Sequence, residues 1–185
     1  MAQHVCPWWL GYLLACPLRR LVNDPHKILS PYVHNGMTAL EPGPGMGFFT
    51  LELARLVGPS GRVVAVDVQP KMLEALKRRA AKAGLLDRIE ARAASSNSLS
   101  VTDLAGQIDF ALAFAVVHEL PAAAPFFAEV ATTLKPGACM LLAEPVVHVR
   151  TARFESELRL AAQAGFNPVE YPSIRRNRAV LLRKP

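Results

Sequence analysis

An α/β fold built on a mainly parallel, doubly wound sheet is the class that this 185-residue sequence predicts. Two observations predict it. Short apolar runs rich in β-branched residues alternate with stretches of helical periodicity, the order that βαβ units require. The first of those runs enters a glycine-rich loop that opens a helix, Glu41-Pro42-Gly43-Pro44-Gly45-Met46-Gly47. On such sheets ligands bind beyond the carboxyl ends of the strands, so this loop and its counterparts after the next strands are the first places to look for function. The length suits one domain, and a content of 51% hydrophobic and 19% charged residues excludes a disordered chain.

Met37 to Leu40 is the short apolar run before the loop, and Met46 to Val57 carries Phe49, Leu53, Leu56 and Val57 at helical spacing. Gly58-Pro59-Ser60-Gly61 stops that helix. Arg62 to Val68 contains Val63-Val64-Ala65-Val66, an unbroken run that reads as a strand buried on both faces. Pro70 suits a first helical turn, and Gly84 closes the helix that it starts. Ile89 to Ala94 predicts a third strand, and Ile108 to Val117 a central strand passing into a loop. Ala122 to Leu134 reads as a helix ended by Lys135-Pro136-Gly137, and Ala138 to Ala143 as another buried strand. Phe154 to Ala164 is helical up to Gly165, and Val169 to Ile174 with Ala179 to Leu182 predict a terminal antiparallel pair. Residues 1–35 form an N-terminal helical cover and residues 36–185 the folded domain.

The net charge of +6 is uneven: eight Arg and Lys against three Glu lie between Val146 and Pro185, with Arg175, Arg176, Arg178, Arg183 and Lys184 at the end. A solvated basic edge accounts for this more simply than an acidic partner. Cys6, Cys16 and Cys139 have no metal-ligand spacing and are odd in number, so no metal site is expected and a reducing, cytoplasmic location is. The apolar run from Val5 to Cys16, with Trp8, Trp9 and Tyr12, is shorter than the roughly 20 residues that span a bilayer. It reads as a helix docked on the core or over a pocket, with contact at a membrane surface as the alternative.

The glycine loop narrows the ligand. Glycines remove Cβ atoms, so a ligand can lie against the backbone. A dinucleotide fingerprint counted from Gly43 and Gly45 would need its third small residue where Phe48 stands. The acid at the head of the loop would repel a pyrophosphate and attract a cationic ligand. Asp67, at the tip of the second strand, suits the two hydroxyls of a ribose, with capping of the next helix as the lesser alternative.

These residues resemble those of the class I S-adenosylmethionine-dependent methyltransferases, especially the small-molecule branch that includes the ubiquinone/menaquinone C-methyltransferases. The likeness rests on Ala39-Leu40-Glu41-Pro42-Gly43-Pro44-Gly45-Met46-Gly47, Val64-Ala65-Val66-Asp67 with Met72-Leu73, Ile108-Asp109-Phe110-Ala111-Leu112, Val116-Val117-His118-Glu119-Leu120 and Leu134-Lys135-Pro136-Gly137. It implies a Rossmann-like, seven-stranded sheet of order 3-2-1-4-5-7-6 with the last strand antiparallel, and S-adenosylmethionine as cofactor. It assigns Glu41, Gly43, Gly45 and Gly47 to the methionyl and ribose parts, Asp67 to the ribose and Met72 to the adenine, and Val68 is counted with them as cofactor-binding. Phe114 would border the cofactor beyond the fourth strand. The family often carries an acid after the third strand for the adenine amino group; here Ser95 aligns with it, and its hydroxyl can accept that bond.

Methyl transfer from a sulfonium is an in-line displacement that needs alignment more than acid catalysis. A base is needed where the acceptor must lose a proton. His118 and Glu119, after the fourth strand, are the first candidates for acceptor contact or proton removal, and Glu144 and His148, after the fifth, are the next. The place where nucleic-acid amino-methyltransferases resemble one another in an Asn/Asp-Pro-Pro-aromatic stretch reads Phe114-Ala115-Val116-Val117-His118, which favours a small-molecule acceptor over nucleic acid. An RNA or protein acceptor, a non-catalytic cofactor-binding module and a nicotinamide dehydrogenase are the competing expectations.

Overall fold

The computed structural model describes residues 19, 21–95 and 97–185. The aromatic run from Val5 to Cys16 lies outside the described residues. Seven strands form one sheet in the order β3-β2-β1-β4-β5-β7-β6: β1 Thr38–Pro42, β2 Arg62–Asp67, β3 Ile89–Ala93, β4 Ile108–Phe114, β5 Leu134–Pro145, β6 Asn167–Glu170 and β7 Asn177–Arg183. β1, β2 and β3 pair in parallel, as do β4 and β5, whereas β7 runs antiparallel to both β5 and β6. The expected strand order and final antiparallel strand are therefore present. By their contacts the residues fall into two compact units, one ending at Ala94 and one beginning at Ser95.

The unit ending at Ala94 carries α1 (Pro25–Leu29), β1, α2 (Thr50–Leu56), β2, α3 (Pro70–Lys82) and β3. Val63, Val64, Ala65 and Val66 of β2 are all buried, and full burial of each valine contributes about 1.5–3 kcal/mol. α3 starts with Pro70 in its first turn and buries Met72, Leu73, Ala75, Leu76 and Ala80, a stripe at helical spacing. Gly84 takes φ +67° at its end, and the Leu85 N–H donates back to the Ala80 carbonyl at 2.9 Å, a Schellman closure.

Two boundaries here differ from the sequence expectation. β1 continues through Glu41 and Pro42, which pair with Ala65 and Val66, so the acid stands on the strand rather than in the loop. The helix begins at Thr50 instead of Met46, because Gly45 and Gly47 take φ +53° and +83° and hold the preceding stretch in a turn.

The second unit holds β4, α4 (Ala123–Thr133), β5, α5 (Thr151–Gln163), β6 and β7. Ala111 to Phe114 and Met140 to Ala143 are buried and pair in register across β4 and β5. Lys135-Pro136-Gly137 is not a separate turn: β5 already starts at Leu134, which partners Ile108, and the register shifts before Phe110 meets Cys139. β6 ends at Glu170, short of the expected Ile174, since Pro172 has no N–H to give a ladder. α5 buries Phe154, Glu157 and Ala161 on one stripe, so a carboxyl enters an otherwise apolar face.

Candidate functional site

In the first unit the glycine loop is a tight, anchored turn. Gly43 takes φ +69° and donates to the Val66 carbonyl at 2.8 Å, and Gly47 donates to the Pro44 carbonyl at 2.9 Å. Arg79, on α3, donates from Nη1 to the Met46 carbonyl and ties the loop to that helix. The glycines do different work. A Cβ on Gly47 would stand 2.3 Å from Leu76 Cδ1, so this glycine lets the loop pack on α3. A Cβ on Gly45 would meet nothing within 4 Å, so that position faces open space.

Glu41 is 3% exposed, and its Oε2 has no hydrogen-bond partner. Burial pushes its carboxyl up to about 8; the charge of Asp67 adds to this, while the Thr50 hydroxyl and the Arg19 guanidinium oppose it. The acid at the loop's head is therefore largely protonated at neutral pH in the free chain. A cation placed beside it would favour the ionised form. Asp67, and Glu41 once a bound cation has ionised it, disfavour a phosphate and favour positive charge.

Asp67 is buried at the end of β2, and its Oδ1 accepts from the Gln69 N–H at 2.8 Å, ahead of α3. Gln69 is the N-cap residue itself and α3 has no side-chain cap, so this bond closes a turn ahead of the helix and does not cap it; the four lone-pair sites of a carboxylate accommodate it together with ribose hydroxyls. Val68 is exposed, whereas Met72 is buried in a cluster with Met46 and Ala75. Arg19 places its guanidinium 4.5 Å from the centroid of the Phe48 ring and 5.7 Å from that of Phe49, directly after the loop.

The second unit brings together a different set. β4 ends at the buried Phe114, and Ala115 follows at φ +57°, a region that a side chain rarely adopts. Glu144, fully buried on β5, holds this turn: Oε1 accepts from the N–H groups of Val116 and Val117 at 3.2 and 2.8 Å. Its Oε2 is bonded to His118 Nδ1. That bond points the proton-bearing Nδ1 at the carboxylate and leaves Nε2 as the basic nitrogen. Burial pulls the imidazole's pKa down, but the hydrogen bond and charge of Glu144, with the charge of Glu119, raise it overall above 6.5.

His148 stacks on His118 with centroids 5.4 Å apart and planes 7° from parallel. Arg153 donates to the His118 carbonyl at 2.8 Å and lies 3.4 Å from Glu157 Oε1. Burial and the charge of Glu144 bring Glu157 up to about 7, against the pull of Arg153 and His118. Glu119 is half-buried in the short turn Val117–Glu119.

Ser95 is exposed and engaged locally: its N–H donates to the Ser98 carbonyl at 3.1 Å, and its hydroxyl lies 3.4 Å from the same oxygen. Two of the terminal cations serve the fold: Arg178 donates to the Val149 carbonyl at 2.7 Å, and Lys184 Nζ to the Leu134 carbonyl at 2.7 Å. Among the described residues no group of three or more His, Cys, Asp or Glu is arranged to hold a metal, and no helix is long and apolar enough to cross a membrane.

Spacing alone missed the roles of Glu157, Arg79 and Arg19. Glu157 had a signal, its place on the Phe154–Ala161 stripe. Arg79 and Arg19 act across 33 and more than 20 positions and leave no local pattern.

The orphaned Glu41 oxygen and the open space at Gly45 fit an S-adenosylmethionine, whose amino-acid end offers an ammonium to the acid and whose nucleoside can approach the bare backbone. A family model described as a methyltransferase domain matches residues 33–171. A methyltransferase from Aquifex aeolicus described as SAM dependent has a TM-score of 0.86 at 25% identity, over 98% of this chain and 100% of that one. The arsenite methyltransferase of Halobacterium salinarum is 28% identical over 125 residues, 68% of this chain and 30% of that protein. The ubiquinone/menaquinone biosynthesis C-methyltransferase of Hahella chejuensis is 35% identical over 71 residues, 38% of this chain and 28% of that protein. The matched segments span less than half the length of these curated relatives. An acid-headed glycine loop, a ribose-suited acid on β2, the strand order and the domain match agree: the chain belongs to the class I S-adenosylmethionine-dependent methyltransferases.

Proposed function

We propose that the chain is an enzyme that moves the methyl group of S-adenosylmethionine to a small-molecule acceptor by in-line displacement. The observation that carries this reading is the buried Glu41 carboxyl, with one oxygen unpartnered, at the head of a loop that is open at Gly45. When bound, the cofactor supplies an electrophilic methyl on a sulfonium. Glu41, Gly43, Gly45 and Gly47 hold its methionyl and ribose parts, Asp67 its ribose and Met72 its adenine, with Val68 beside Asp67 as a further contact.

His118 is the group that takes a proton from the acceptor, through Nε2. Glu144 positions it by holding Nδ1 and the two preceding N–H groups. Glu119 is the second candidate for acceptor contact. A protein whose imidazole is kept basic by a buried carboxylate suits an acceptor that gives up a proton as it is methylated. The names of the arsenite and quinone-pathway relatives are in keeping with a small acceptor. The internal use of Arg178 and Lys184 weakens the case that the basic end serves nucleic acid.

The test is incubation with methyl-labelled S-adenosylmethionine and three acceptor pools: a small-molecule extract, total RNA and total protein. Label in the small-molecule pool, lost in the Gly45→Val variant, is the expected result. Label confined to RNA or protein overturns the acceptor class, and binding without label in any pool favours a non-catalytic module.

A further inference from the structure

We propose that Glu157 is a positioning residue for His118: with Arg153 it forms a second brace on that residue, and its charge tunes how strongly the imidazole takes the acceptor's proton. The inference rests on the reading of His118 as the proton acceptor and deepens it.

All of these groups lie in the second unit. Glu157 stands on α5 between Phe154 and Ala161, 4% exposed, with no hydrogen bond to either carboxyl oxygen. A leucine would suit that apolar stripe better, because a carboxyl taken out of water without hydrogen bonds weakens a fold. An acid placed where it costs stability is accounted for by what it does to its neighbours. One turn before it on α5, Arg153 stands with Nε 3.4 Å from Glu157 Oε1 and donates from Nη2 to the His118 carbonyl at 2.8 Å. Glu144 thus holds His118 by the ring and by the two preceding N–H groups, and Arg153 holds it by the carbonyl. Glu157 keeps Arg153 in place for that bond.

The charges that act on Glu157 are those of Glu144, Arg153 and His118. α4, which packs on α5, has Glu129 as its one ionisable side chain, and that is engaged with Ser98 and Leu99. Arg178 of β7 is engaged with Val149 and Thr151, and His148 meets His118 by stacking. Coupling between two titrating groups is mutual. In the proposed step the proton moves from the acceptor to His118 Nε2, and the electron pair of the broken bond stays on the acceptor. An ionised Glu157 favours the imidazolium so formed and offsets Arg153, whose charge opposes it. With its carboxyl brought up to about 7, Glu157 changes charge in the range where the imidazole works.

A purely structural Glu157 would fill the face of α5, and its amide would do the same. The test is NMR of the full chain from about pH 5 to 9. The His118 ring carbon and the Glu157 carboxyl carbon are followed together in the wild type, and the His118 carbon again in Glu157→Gln. Methyl-labelled S-adenosylmethionine with the small-molecule extract gives transfer rates over the same range for wild type, Glu157→Gln and His118→Gln, with circular dichroism melts as the check on folding.

In the wild type each carbon is expected to show a second inflection from the other group, the one in His118 lying near 7. Glu157→Gln should remove that inflection and move the His118 titration to lower pH. The acidic limb of the transfer rate should move with it, and the plateau should fall roughly three- to tenfold, part of what a positioned base contributes. A single inflection for His118 in the wild type, which needs no variant to fold, overturns the inference, as does an unmoved His118 titration in Glu157→Gln. Loss of transfer in His118→Gln with an unchanged rate and pH profile in Glu157→Gln overturns the inference alone. Wild-type transfer by His118→Gln overturns the reading of His118 and this inference together.

Discussion

Replacing Glu41 by glutamine tests how the loop's acid is held. The folded chain keeps this carboxyl protonated up to about pH 8, whereas in the unfolded chain it titrates near 4.5. Between those limits the folded state binds the proton that the unfolded state has released, so stability falls as pH rises through the window. The difference between the ends of the window has an upper bound of about 5 kcal/mol, a large share of a domain's total stability. Glutamine keeps the shape and removes the titration. Urea unfolding of wild type and Glu41→Gln at pH 5, 7 and 9 measures the effect. The variant's stability should gain on the wild type's as pH rises, most steeply midway between 4.5 and 8 and levelling off above about pH 8. Binding of a cation beside Glu41 should also release a proton at neutral pH in the wild type, seen as a buffer-dependent heat that the variant lacks. Parallel stability profiles for the two proteins, with equal buffer dependence, would refute the reasoning.

Gly47→Ala must relieve a 2.3 Å contact with Leu76 and accept φ +83°, so it should lose about 2 kcal/mol or more in chemical denaturation. Gly45→Ala meets no neighbour and should lose about 1–2 kcal/mol to strain alone, while its cofactor affinity by calorimetry falls further than its stability. Asp67→Ala should lose about 1 kcal/mol with the turn-closing bond from the Gln69 N–H and bind S-adenosylmethionine at least roughly tenfold more weakly, and Asp67→Asn should restore the stability before the affinity. Glu144→Gln should lower the His118 pKa followed by NMR, since the hydrogen bond and charge that raise it are weakened; an unchanged titration would separate Glu144 from His118.

Much of the fold was legible because the strands are buried on both faces and therefore read as unbroken apolar runs, as in Val63 to Val66. Glycine and proline marked the joints. Boundaries moved where one glycine or proline imposed more than its neighbours showed: Gly45 and Gly47 delayed the helix to Thr50, and Pro172 cut β6 short. In the site, residues carried by a contiguous motif were visible, including Glu41, Asp67 and His118. The groups that tune them were not, because their partners are distant in sequence. Glu144 was legible as a candidate after β5, but its grip on the Val116 and Val117 N–H groups required the fold. The protonation of Glu41 was also invisible: sequence shows an acid, and burial decides its charge.

The central claim is that an acid-headed glycine loop accepts a positively charged nucleoside and rejects a diphosphate. Calorimetric titration of the full chain, with S-adenosylmethionine in one series and NAD in another, tests it most directly. The account predicts saturable, micromolar-range binding of the first and none of the second. Binding of NAD together with no heat from S-adenosylmethionine would contradict it.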